Sequence, residues 1–240
     1  MSLPKIDLPT YELTLPSSGK KIKVRPFLVK EEKLLLIAAD SGEDDDIIST
    51  TKQVINNCIL TKGIDVEKLP FFDIDFLFIA LRAKSIGEKV EMQFTCNNEV
   101  EDKQCGHTFD ADIDISEAKI DEVDGISKDI EISPTITMRM KYPTYTTIRG
   151  IKEEDDAIER KMKVIVNSID YIADGENIHS SKDYSREDLT KFVEDLTEEQ
   201  FKKLELFVEN LPTFAVHLEA KCENCGFEHK IKYTEFESFF

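Results

Sequence analysis

Hydrophobic and polar positions change period several times along this chain. Tyr11 to Leu15 and Lys21 to Arg25 alternate on either side of Pro16-Ser17-Ser18-Gly19, which predicts an N-terminal β-hairpin. Lys30 to Ala39 then sets Leu34, Leu35, Ile37 and Ala38 on a wide apolar face, and Ile47 to Leu60 repeats Ile48, Thr51, Ile55, Cys58 and Ile59 at helical spacing. Between these two helices an acidic loop is expected over Gly42 to Asp46. A third helix is expected after Pro70, N-capped by Asp73 or Asp75 and running through Phe76, Leu77, Ile79, Ala80 and Leu81 to Ser85, with Gly87 as its stop.

From Lys89 the period is two. Val90, Met92 and Phe94 alternate into Cys96, and Phe109, Ala111, Ile113 and Ile115 alternate out of Cys105-Gly106-His107. Ile130 to Ile132 and Thr135 to Met140 predict a strand pair around Ser133-Pro134, followed by a helix from Glu153 to about Asn167. Asp174-Gly175 marks a hairpin turn within Ser168 to His179. Ser185 with Asp188, and Thr197 with Gln200, have the spacing of capping boxes, so each starts a helix, and Pro212 ends the second. Phe214, Val216, Leu218 and Ala220 alternate into Cys222, and Phe227, His229, Ile231 and Tyr233 alternate out of Cys225. The expected organisation is an N-terminal hairpin at 1–29, a helical region at 30–87, a β region at 88–142, a second helical region at 143–211 and a last hairpin with a tail at 212–240, all in one intertwined domain.

The cysteines carry the strongest chemical signal. Lys221-Cys222-Glu223-Asn224-Cys225-Gly226 between two alternating strands has the form of a zinc knuckle, two thiolates reaching one tetrahedral ion with Gly permitting the turn beneath. Cys96 and Cys105-Gly106 supply a second pair in the same strand-loop-strand context, although their eight-residue spacer exceeds the usual two to four. The leading reading is a structural Zn²⁺ on Cys96, Cys105, Cys222 and Cys225; His107 in place of Cys96, and free thiols or a disulfide, are the alternatives. The fold class is then α+β, a helical core with antiparallel β-hairpins, two of them joined in a discontinuous four-cysteine zinc ribbon. Four thiolates fill the coordination sphere, so such a site holds structure and has no place for a catalytic water. A thioredoxin-like use of Cys222-x-x-Cys225 needs a helix to start at the motif, whereas here alternation continues on both sides. Cys58, in helical phase with apolar neighbours, is expected in the core.

Charge narrows the function classes. The chain of 240 residues has 31 Lys and Arg against 49 Asp and Glu, a formal charge of −18. Zinc ribbons also occur in nucleic-acid adaptors, but Lys221, Lys230 and Lys232 are balanced by Glu219, Glu223, Glu228 and Glu235, and no basic stripe follows. The most apolar stretch, Phe71 to Ala83, contains Asp73, Asp75 and Arg82 and is too short to span a bilayer. Met1 to Thr10 has no apolar segment of the signal-peptide kind, so intracellular synthesis is expected. P-loop, Gly-x-Ser-x-Gly and His-Glu-x-x-His patterns are missing, His179 and His217 stand alone in sequence, and no enzymatic activity is expected.

Several segments together resemble a known family. Arg25-Pro26-Phe27-Leu28-Val29-Lys30-Glu31-Glu32-Lys33 before an apolar helix, Phe72-Asp73-Ile74-Asp75-Phe76-Leu77-Phe78-Ile79 leading to Leu81-Arg82-Ala83-Lys84-Ser85-Ile86-Gly87-Glu88, and the two Cys-Gly knuckles resemble the baseplate hub assembly proteins of T-even-type contractile-tail bacteriophages. The resemblance implies a tail-morphogenesis role, as assembly factor or component of the hub, made in the host cytoplasm and with the virion baseplate as a further location. Its implied partners are other tail or hub proteins, the tape-measure protein among the candidates, with no nucleic acid and no membrane span. Candidate partner contacts are Arg82 and Lys84, leaning to a simple surface role, and the aromatic terminus Phe236, Phe239 and Phe240, which either docks in a partner groove or caps the protein's own core.

Overall fold

Strands β1 (Tyr11–Thr14) and β2 (Lys21–Val24) form the expected hairpin, closed by Gly19 at φ 66°, whose N–H donates to the Leu15 carbonyl at 2.8 Å. The computed structural model describes residues 6–121, 125–148, 151 and 156–234. Helix α1 (Val29–Ser41) ends at left-handed Gly42, and α2 (Asp44–Cys58) begins two residues later. The acidic run expected as a loop therefore opens a helix: Asp45 and Asp46 stand in its first turn, where carboxylates suit the positive end of the helix dipole. Cys58 is fully buried, as its helical phase predicts, and burial pushes its thiol up to about 11.

Helix α3 (Phe71–Ser85) starts directly after Pro70, whose fixed φ suits helix entry. Asp73 is consequently not a cap. It lies inside the first turn, fully buried, and accepts from the Ser17 N–H at 2.9 Å and from the Ser17 hydroxyl, both in the turn of the first hairpin. At the other end, Ser85 Oγ donates to the Leu81 carbonyl and accepts the Phe27 N–H at 2.8 Å. Arg82 was expected at the surface but is buried, and its guanidinium donates to the Gly87 carbonyl at 3.0 Å. The Leu-Arg-Ala-Lys-Ser-Ile-Gly-Glu segment thus closes a helix terminus and leads straight into the next strand.

That strand, β3 (Lys89–Thr95), is followed by the two-residue strands β4 (Glu99–Val100) and β5 (Lys103–Gln104), then β6 (Thr108–Asp114) and β7 (Lys119–Asp121). β3 pairs antiparallel with β6 from Lys89↔Asp114 to Thr95↔Thr108. The chain continues through β8 (Asp129–Glu131), β9 (Ile136–Met140), α4 (Tyr145–Ile148), α5 (Ala157–Asn167), β10 (Ile169–Asp174), β11 (Asn177–Ser180), α6 (Arg186–Glu194) and α7 (Glu198–Glu209). It ends in β12 (Thr213–Lys221) and β13 (Glu228–Tyr233). The helix expected from Glu153 is seen from Ala157, capped by Asp156 accepting the Glu159 N–H; residues 152–155 lie outside the described part. Both capping boxes form: Ser185 with Asp188 opens α6, and Thr197 with Gln200 opens α7. The architecture is mixed α+β, its strand pairs antiparallel, with seven α-helices among the described residues.

Two compact units divide the chain, one of Met1–Val66, Phe72–Asp121 and Thr213–Phe240, the other of Glu67–Phe71 and Glu122–Pro212. In the second, the sheet β11-β10-β9-β8 shares a core with α5, α6 and α7, where Met138, Met140, Ile165, Ile169 and Leu204 are each removed from water. Burial of such side chains contributes about 1.5–3 kcal/mol apiece. The first unit carries the sheet β13-β12-β7 and the β3-β6 pair, and it is these four long strands, β3, β6, β12 and β13, that present the cysteines.

Candidate metal centre

Each cysteine pair sits in a turn between two antiparallel strands, and the two turns share one backbone pattern. In the second knuckle the Cys222 N–H donates to the Phe227 carbonyl at 2.9 Å, and the Gly226 N–H donates to the Cys222 carbonyl at 2.8 Å. In the first, the Cys96 N–H donates to the His107 carbonyl at 2.8 Å, and the Gly106 N–H donates to the Cys96 carbonyl at 3.0 Å. Gly106 and Gly226 both lie in the left-handed region, at φ 62° and 73°, where a side chain is disfavoured. The long spacer of the first knuckle is the small hairpin β4-β5, with Val100 facing Lys103. Its two-residue loop, Glu101 and Asp102, has φ 50° and 61°, as a type I′ turn requires. The hairpin leaves after Cys96 and returns before Cys105, so the inserted residues do not disturb the turn that presents the two sulfurs.

The four sulfurs of Cys96, Cys105, Cys222 and Cys225 lie within 4.8 Å of one another. Cys96 Sγ is 3.6 Å from Cys225 Sγ, and Cys105 Sγ is 3.9 Å from Cys222 Sγ. All four cysteines are free thiols, and neither pair stands at the S–S distance of a disulfide, about 2.05 Å. They match the edge of a tetrahedron around a metal with bonds of about 2.3 Å, which is about 3.8 Å. Cys96 and Cys222 are fully buried against Phe109, with Phe94 and Ala220 packed around them, while Cys105 and Cys225 are half-buried. Burial pushes the Cys96 thiol up to about 12, whereas donors from the Asn224 side chain and the His107 backbone hold Cys105 down to about 6. Asn224 Nδ2 is 3.3 Å from Cys105 Sγ, and Asn98 Nδ2 is 3.7 Å from Cys225 Sγ. A set of four soft thiolate donors in this geometry is suited to Zn²⁺.

His107 contributes a backbone carbonyl to the first knuckle; the clustered ligand atoms are the four cysteine sulfurs. The histidine that does approach the centre is one that motif reading passes over. His229, on β13, is buried with Nε2 3.2 Å from Cys96 Sγ. Its ring lies 5.6 Å from that of Phe109 and 4.8 Å from that of Phe227. The signal was its place on the alternating face of Phe227, His229, Ile231 and Tyr233, the face that leads out of Cys225.

The remaining candidates are dispersed. Lys84 is exposed, pairs with Glu88 at 3.2 Å and lies 5.8 Å over the Tyr11 ring. Phe236, Phe239 and Phe240 lie outside the described residues. His217 and His179, isolated in sequence, both have partners in space: His217 Nε2 is 2.7 Å from Asp121 Oδ2, and His179 Nδ1 is 2.7 Å from Tyr184 Oη. Asp121 also receives Lys232 at 3.0 Å; burial opposes its ionisation, but these two partners outweigh it and hold the carboxyl below its usual range. Among the described residues no helix is long and apolar enough to cross a membrane.

Comparison with known proteins adds one finding. Neither curated proteins nor solved structures gave a match. Residues 8–240 match the family described as T4 bacteriophage base plate protein, nearly the whole chain, and through both knuckles. The chain therefore belongs to the T4-type phage baseplate protein family.

Proposed function

We propose that the protein is a baseplate hub assembly factor or hub component of a contractile phage tail, acting by stoichiometric binding of other tail proteins and stiffened by a structural zinc. The family match over residues 8–240 carries this reading. A zinc bound by Cys96, Cys105, Cys222 and Cys225 would neutralise the thiolates and clip two distant hairpins together. The chain's own residues supply the rest. Gly106 and Gly226 turn the backbone beneath the sulfurs, Asn98 and Asn224 donate to them, His229 with its Nε2 protonated would donate to Cys96, and Phe94 and Phe109 keep water from the buried pair. With all four positions taken by sulfur, the centre serves as scaffold.

The acidic excess favours partners with complementary basic patches and makes encounter rates fall with salt. Lys84, with Phe236, Phe239 and Phe240, is the proposed contact set, and the tape-measure protein is a proposed partner beside the hub proteins. Arg82, being buried, acts by fixing the end of α3. Assembly would take place in the host cytoplasm. The test is co-expression with the hub and tape-measure proteins of the same phage, followed by affinity capture and metal analysis of the complex. A stoichiometric tail-protein complex with about one zinc per chain is expected. Captured nucleic acid or mixed disulfides in place of a tail protein would overturn the reading.

A further inference from the structure

The second unit contains a cavity of about 430 Å³ whose lining, among the described residues, includes Lys68, Lys141, Lys182 and Arg186 and no carboxylate. Three of these cations, Lys141, Lys182 and Arg186, meet no carboxylate in the described lining, which stands out in a chain of net charge −18. Elsewhere in the same unit Lys161 pairs with Glu205 and Glu209, Lys163 with Glu159, and Arg139 with Asp129. Among the described residues Lys141, Lys182 and Arg186 make no ion pair. Burial holds the Lys141 ammonium below its usual range; Asp170 counters this, while Lys182 adds to it by repulsion. Arg186 is the first residue of α6, where a cation opposes the helix dipole.

Neutral donors complete the lining. Thr144 Oγ1 lies 2.8 Å from Thr146 Oγ1 and 3.1 Å from Thr147 Oγ1. Three hydroxyl protons for two contacts leave at least one directed to an acceptor outside the trio. Val166, Ile169 and Leu189 supply an apolar portion of the wall, and the volume is that of a small-molecule site. Converging like charges are unfavourable until an anion enters, and several cations with hydroxyl donors suit an anion that is multiply charged and rich in acceptor oxygens.

We propose that this cavity binds a phosphate-bearing small molecule. The site is separate from the metal centre, and its existence does not depend on the hub reading.

Pyrophosphate is the probe, titrated into the full-length protein by calorimetry at constant ionic strength. Inorganic phosphate and ATP run as parallel arms that separate a free-phosphate site from a nucleotide site. Saturable binding at one site per chain is expected, together with a pyrophosphate-dependent rise in the unfolding midpoint of the unsubstituted protein. The exposed side chains of Lys182 and Arg186 can be replaced without touching the core; Lys182→Gln and Arg186→Gln should each weaken binding by about tenfold or more. Lys191→Gln, on the same helix but outside the cavity, should leave binding unchanged. The proposal is overturned by no saturable binding at millimolar pyrophosphate, by equal loss in Lys191→Gln, or by tighter binding of a hexaglutamate peptide or oligodeoxythymidine. The first of those competitors would mark a docking point for an acidic protein segment, the second a nucleic-acid contact.

Discussion

His229 meets the candidate metal centre from beyond the four cysteines. Its Nε2 is 3.2 Å from Cys96 Sγ, one of the two fully buried sulfurs of the set, and partners of this kind typically change metal affinity 10- to 100-fold. His229→Ala should therefore lower zinc affinity by about that factor in a chelator competition assay. His229→Phe, which keeps an aromatic ring beside Phe109 and Phe227, separates the donor from the packing; wild-type affinity in that variant would mean that the imidazole only fills space. The turn at the tip of the inserted hairpin gives a second residue-scale prediction. Glu101 and Asp102 both hold positive φ, and glycine takes that conformation without strain. Asp102→Gly should stabilise the protein by a few tenths to about 1 kcal/mol in urea unfolding with an unchanged m-value. A loss of stability would show that the Asp102 side chain does more than tolerate the turn. The four cysteines were legible in sequence because ligand spacing is itself the chemistry. His229 was not, because alternation assigns a residue to a face without naming the group that meets it there. Nor does Glu-Asp at positive φ announce a type I′ turn, since the residues that usually do so are Asn and Gly.

At the scale of elements, two buried carboxylates tie the first hairpin to neighbouring helices, and they respond to pH in opposite senses. Glu31, in the first turn of α1, accepts from the Arg25 guanidinium at 2.9 Å and from the Leu28 N–H at 2.8 Å. Burial opposes its ionisation, but these donors outweigh burial and hold the carboxyl below its usual range. Its contribution is present above the unfolded-state pKa and is lost as pH falls through the lower folded one. Glu31→Ala leaves the Arg25 charge largely buried without its carboxylate and should cost about 3–5 kcal/mol near neutrality, an effect that shrinks in acid. Asp73 is the reverse case. Burial raises its pKa, and the two Ser17 donors only partly offset it, so the folded chain holds this proton more tightly than the unfolded chain does. Relative to Asp73→Asn, the native protein should be most stable below the unfolded-state pKa of about 4 and should lose that advantage as pH rises from there through the higher folded-state pKa. Urea titrations of the three proteins across this range check both signs, and parallel curves for Asp73→Asn and the native chain would refute the second. Helices and strands were largely readable from periodicity, since each buries one face. The place of Asp73 was not, because a carboxylate just after Pro70 is written like an N-cap, and only the hairpin turn arriving from residue 17 turns it inward.

The whole molecule is organised by one long excursion of the chain. It leaves the first unit at Asp121 and returns at Thr213, and these two residues face each other in the β7-β12 register. The interval between them holds most of the second unit, which also takes in Glu67–Phe71, and that unit's core, so the two ends of the interval are fixed side by side, as in tolerated domain insertions. The sulfur contacts of the candidate metal centre bridge the same interval, joining residues 129 and 117 positions apart. A covalent link at such a span would restrain the unfolded chain by about 4–5 kcal/mol in the chain-entropy account, and a metal clip acts in the same sense. This span was open to sequence reading once the knuckles were paired. The inserted core was not, because helices and strands on either side of it have the same periods and no linker-like composition marks the passage. The arrangement makes a prediction about metal removal that uses the intact protein. Hydrogen exchange with and without a strong chelator should show lost protection in β3, β6, β12 and β13, whose ends carry the four cysteines. Protection of Met138, Met140, Ile165 and Leu204, in the separate core of the second unit, should persist. Cys222→Ser should reproduce the chelator pattern, and Cys58→Ala, which empties a core position away from the four sulfurs, should leave zinc content intact while lowering stability by about 1–3 kcal/mol. Uniform loss of protection along the whole chain on chelation would mean that the two units unfold as a single cooperative structure and that the metal clip stabilises both.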